Sequence, residues 1–86
     1  MDDKLGTLVW DTIAGLSHRG ETQLDPHSVE AVELREAAYV AAGDRGSDRR
    51  LAFAALEWLQ GVSTFDALKA ASQTYEKNRI SLRRHP

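Results

Sequence analysis

Cysteine is absent from this sequence of 86 residues, which excludes disulfide bonds and thiolate metal sites. The absence is consistent with a reducing compartment. No apolar run approaches the ~20 residues that a membrane-spanning helix requires. The start, Met1-Asp2-Asp3-Lys4, lacks the basic and apolar stretches of a signal peptide. We therefore expect a cytoplasmic protein without a membrane segment.

Motifs of catalysis and of cofactor binding are also missing. No glycine-rich loop with a lysine suits a phosphate group, and no serine lies in a nucleophile elbow. The histidines His18, His27 and His85 are not spaced as metal ligands. We therefore predict a protein that is not an enzyme, with no metal, no cofactor and no small-molecule substrate.

Apolar residues at three- and four-residue spacing predict four helices, and no strand-like alternation occurs. The first helix should run from about Asp3 to His18. The second should have Asp25 as its N-cap, Pro26 as its first residue and Gly43 as its C-cap.

The two later helices are also delimited by capping residues. Ser47 should cap the third helix, which is expected from about Asp48 to Gln60. Ser63 should cap the fourth and longest helix, from Thr64 to about Arg83. The predicted fold class is all-α: a compact four-helix bundle with short loops and an extended C-terminal helix, in a single domain of residues 1–86.

Two helices carry more apolar surface than one side of a bundle requires. Helix two has alanines and a leucine on one side and larger apolar groups on another, namely Val29, Val32, Tyr39 and Val40. Apolar residues nearly encircle helix three, with Leu59 near the middle of their arc. We expect helix two to pack centrally, helix three to be buried on all sides, and Leu59→Ala to be severely destabilising.

Charge is distributed unevenly along the chain. Residues 1–48 hold ten acidic and four basic residues, a net charge of −6, whereas residues 49–86 hold three acidic and seven basic ones, a net charge of +4. The distribution indicates partner surfaces of two signs. The alternative explanation is that the charges offset the dipoles of the helices.

Exposed aromatics and a row of carboxylates suggest a protein partner. Trp10 lies about 110° from the apolar stripe of helix one, and Phe53 lies off the arc of helix three. The predicted partner-binding residues are Trp10, Glu30, Glu33, Glu36 and Phe53. We predict a non-catalytic protein–protein interaction module, such as a small regulator or phage-type inhibitor protein that binds a larger macromolecular partner. A homodimer is a further expectation.

The segment Leu56 to Ala71 supports an alternative function. Its Gly61-Val62-Ser63 turn resembles the turn of a helix-turn-helix motif, although Glu57 and Gln60 depart from the motif's pattern. The resemblance implies a small DNA-binding regulator that uses residues 56–84. The predicted nucleic-acid-binding residues are Thr64, Lys69, Lys77, Arg79, Arg83 and Arg84.

Overall fold

Four amphipathic segments form helices in a computed structural model that describes residues 4–43 and 48–84. The helices are α1 (Lys4–Arg19), α2 (Val29–Ala42), α3 (Asp48–Leu59) and α4 (Phe65–Arg84). No strand occurs within these ranges. The prediction of an all-α four-helix bundle is confirmed, and its last helix is the longest. The predicted cap Ser47 lies outside the described residues.

Glycine in the left-handed conformation ends α3. Gly61 has a φ of 78°, and its N–H donates to the carbonyl of Trp58 at 3.0 Å. The N–H of Val62 donates to the carbonyl of Glu57 at 2.9 Å. These two bonds satisfy carbonyls that the last helical turn leaves without partners. Gly20, with a φ of 69°, ends α1 through the same pattern of bonds.

Gly61→Ala is expected to lower the free energy of unfolding by about 1–2 kcal/mol, because an L-residue is strained in the left-handed region. No atom lies within 4 Å of a Cβ built at Gly61, so the cost comes from the backbone alone. Gly43→Ala is the matched control, because Gly43 has a φ of −82°. Urea denaturation should show a lower midpoint for Gly61→Ala only. Equal midpoints for the two variants would contradict the assignment.

The N-cap of α2 is Ser28, and the predicted cap Asp25 is wrong. The Ser28 hydroxyl accepts a hydrogen bond from the Ala31 N–H at 3.2 Å. Asp25 instead forms the preceding turn, where its carboxylate accepts from the His27 N–H at 2.9 Å. Pro26 therefore lies in this turn and not in the helix. The fixed φ of proline suits both positions.

The N-cap of α4 is Thr64 and not Ser63. The Thr64 hydroxyl accepts from the Ala67 N–H at 3.1 Å, and its carbonyl accepts from the Leu68 N–H at 3.2 Å. The helix consequently begins one residue later than predicted, at Phe65. Serine and threonine are both preferred as N-cap residues. The sequence alone therefore does not decide which of the two is the cap.

Helices α1 and α3 form the middle of the bundle. Each packs against all three other helices, whereas α2 and α4 do not pack against each other over the described ranges. The outer helices therefore lie on opposite sides of the α1–α3 pair. The expectation that helix two packs centrally is wrong. Its small side, Ala31, Leu34, Ala38 and Ala41, is buried against α1 and α3.

Trp58 is completely buried and joins α3 to the loop between α1 and α2. Its indole Nε1 donates to the Thr22 carbonyl at 3.0 Å, and the Gln23 side-chain amide donates to the Trp58 carbonyl at 3.1 Å. The Phe65 ring packs at a tilt, with its centroid 6.0 Å from that of Trp58. These contacts hold the loop and the start of α4 to the same residue.

Helix three is not buried on all sides, contrary to expectation. It exposes Arg49, Arg50, Phe53 and Glu57. Leu59 is only partly buried at the edge of the core, because it is the last residue of α3. The centre of the buried side lies instead at Leu51, Ala55 and Trp58.

Candidate protein-binding surface

One side of α2 exposes large apolar groups. Val29 is 73% exposed and Val40 is 71% exposed, and Val32 and Tyr39 are exposed as well. These residues share a side because successive helical residues are rotated by about 100°. Two carboxylates lie among them. We call this surface the α2 face and define it as Val29, Val32, Glu33, Glu36, Tyr39 and Val40.

Glu36 lies at the centre of the α2 face. It is four residues from Val32 and from Val40, so it is the helical neighbour of both. Glu33 lies beside it towards the start of the helix. Where side chains are described, neither carboxylate forms a salt bridge. The α2 face therefore combines apolar groups with two negative charges.

Glu30 belongs to a different surface. Arg19, at the end of α1, donates to the Glu21 carboxylate at 2.7 Å. This hydrogen bond raises the pKa of Arg19, and the charge of Glu30 makes a smaller contribution in the same direction. The charge of Glu30 therefore acts on Arg19 at the end of α1. The predicted row of three glutamates is divided, and only Glu33 and Glu36 accompany the exposed valines.

The two aromatic residues predicted for partner binding are exposed on other helices. Trp10 on α1 is 56% exposed. Phe53 on α3 is also exposed, and the Arg49 guanidinium lies 5.8 Å from its ring centroid. The predicted partner-binding residues therefore occupy three helices. Sequence reasoning omitted the α2 valines and Tyr39 from this set, although their shared side was recognisable from their spacing.

Thr64 and Lys69, two of the residues predicted for nucleic-acid binding, have local structural roles. Thr64 is the N-cap of α4. The Lys69 ammonium lies 3.3 Å from the Asp66 carboxylate and 5.1 Å from the centroid of the Phe65 ring. Asp66 is exposed in the first turn of α4, where its charge would repel phosphate. The start of α4 is therefore a poor surface for DNA.

The later half of α4 carries the remaining bases. Lys77 is exposed, and Arg79 lies 3.5 Å from the Glu76 carboxylate. Arg83 and Arg84 belong to the last turn of the helix, and their side chains lie outside the described part of the structure. The connection from α3 to α4 spans residues 60–64. Helix capping accounts for both Gly61 and Thr64 within it.

Other kinds of site are not formed by the described residues. In residues 4–43 and 48–84, no group of three or more histidine or acidic side chains is placed to hold a metal ion. None of the helices, as far as they are described, is long and apolar enough to cross a bilayer.

No known protein family matches the chain, and neither the curated proteins nor the solved structures contain a significantly similar one.

Proposed function

We propose that this protein is a non-catalytic interaction module that binds another protein through the α2 face. The observation that carries the proposal is the position of the large apolar residues of α2. The helix buries its alanines and presents Val29, Val32, Tyr39 and Val40 to solvent. Exposed apolar groups gathered on one face are typical of interaction surfaces.

The energy available from covering this face is comparable with the cost of association. Covering one exposed valine contributes about 1.5–3 kcal/mol before association costs. Three valines and the Tyr39 ring together exceed a typical association cost at its lower bound of about 4 kcal/mol. A small regulator or inhibitor of a larger protein is the class of function that we propose.

Val40→Lys is expected to weaken partner binding by about tenfold or more, because it replaces an apolar contact with a charge. Lysine favours helix more than valine does and offsets the dipole at the end of α2, so the fold should be retained. Thr74→Lys, on an exposed position of α4, is the matched control.

The measurement is quantitative capture from a lysate of the source organism, with and without nuclease treatment, by each protein immobilised at equal density. A protein retained by the wild type and by Thr74→Lys, but lost with Val40→Lys, supports the proposal. Equal capture by all three variants contradicts it. Capture that disappears on nuclease treatment favours the DNA-binding alternative, for which the exposed Lys77 is the supporting observation.

A further inference from the structure

We infer that the partner of the α2 face is a basic amphipathic helix of another protein, with a lysine or arginine at the centre of its apolar side, opposite Glu36. The inference rests on the proposed function and specifies the occupant of the same surface. Three observations support it: the position of Glu36, the charge of the face, and the arrangement of α2 and α4 in the bundle.

Glu36 opposes pairing of the α2 face with a second copy of itself. An antiparallel register that aligns Val32 with Val40 of the copy also brings Glu36 against Glu36. A register that aligns Val29 with Val40 brings Glu33 against Glu36. In a parallel pair each residue meets its own counterpart, so Glu36 again faces Glu36. Like charges brought together away from water are costly, so each of these three registers is penalised.

The α2 face has negative charge and no positive charge of its own. Arg35, the one basic residue of α2, lies off the face, and its guanidinium donates to the Pro26 carbonyl at 3.3 Å. A cation opposite Glu36 would supply the missing charge while apolar neighbours cover the valines. Residues spaced by three and four along a helix match the spacing of Val29, Val32 and Glu36. An anionic membrane or a nucleic acid would be repelled by the same carboxylates.

The basic half of α4 in a second copy is a poor alternative occupant. Because α2 and α4 lie on opposite sides of the bundle, a contact between α2 of one copy and α4 of the next does not close into a symmetric dimer. Such a head-to-tail contact repeats and gives closed rings or open chains. It predicts an assembly larger than a dimer, which sedimentation measures directly.

The test uses this protein as its own probe. The double variant Glu33→Lys/Glu36→Lys keeps the apolar residues of the α2 face and reverses its charge. Both positions are exposed, and lysine is as good a helix former as glutamate. We expect the wild type alone and the double variant alone to sediment as monomers, near 9.5 kDa. An equimolar mixture should form a heterodimer.

The heterodimer should bind at least about tenfold more tightly than either chain binds itself, and added salt should weaken it. A matched control adds Val40→Lys to the double variant, which should abolish mixing. Circular dichroism confirms that each chain is folded before mixing.

Three results would overturn the inference: a mixture of folded chains that remains monomeric, a wild type that dimerises alone, or an assembly larger than a dimer. Failure of the proposed function is seen separately, as capture from the lysate that Val40→Lys leaves unchanged. When the mixture forms a dimer but Val40→Lys leaves the capture unchanged, the proposed function is contradicted. The charge preference of the α2 face is then still supported.

Discussion

Trp58→Ala is expected to lower the free energy of unfolding by about 3–5 kcal/mol, because it removes a large, fully buried side chain from the core. It also removes the indole N–H that donates to the Thr22 carbonyl at 3.0 Å. The Phe65 ring in turn loses the aromatic ring against which it packs. The total free energy of unfolding of a domain of this size is only about 5–15 kcal/mol. The variant should therefore be partly or wholly unfolded at physiological temperature.

The measurement is thermal and urea denaturation followed by circular dichroism, with Trp10→Ala as the matched control. Trp10 is 56% exposed, so its removal should cost clearly less stability than the removal of Trp58. Trp58→Phe keeps an aromatic ring at this position. Its loss of stability can be measured even when the alanine variant does not fold. Similar midpoints for the Trp10 and Trp58 variants would show that the core is centred elsewhere.

Leu51→Ala is expected to cost about 2–5 kcal/mol, because Leu51 is fully enclosed in the middle of the bundle. Leu59→Ala removes the same atoms from the same helix and should cost clearly less, since Leu59 is only partly buried. Urea denaturation of the two variants measures the difference. A larger loss for Leu59→Ala would restore the sequence-based assignment of the core centre and contradict the structure.

The pair of leucines shows why periodicity located the buried side of α3 but not its centre. The angular position of Leu59 places it on the apolar side, and the structure agrees that this side faces the core. The angular position does not show how deeply a residue lies in the core along the axis of the helix. Because α3 ends at Leu59, this residue reaches only the edge of the core, and Val62 beyond it is exposed.

Helix two shows a second limit of sequence reasoning. Its two apolar sides were both evident, but a pattern of residue types does not reveal which sides acquire neighbours. The side with Ala31 and Ala38 is buried, because small side chains allow helices to approach closely. The side with Val29 and Val40 has no covering helix in the described chain. The α2 face is therefore a product of the tertiary arrangement.

The contacts of Trp58 had no local signal at all. Its indole and the Thr22 carbonyl are 36 positions apart in the sequence, and no spacing rule links a loop carbonyl to a tryptophan at that distance. The caps were predictable in kind but not in position, because Asp25 and Ser28 are both good N-cap residues. The hydrogen bonds of the turn between them decided the choice.

The separation of α2 from α4 has a consequence for how this protein can vary. Free-energy changes at sites without shared contacts usually add to within about 0.3–0.5 kcal/mol. Substitutions on the outer sides of α2 and α4 should therefore act as independent variables, each coupled to the α1–α3 pair and neither to the other. Residues of the α2 face can therefore vary without re-optimising the charge of α4, and the reverse holds as well.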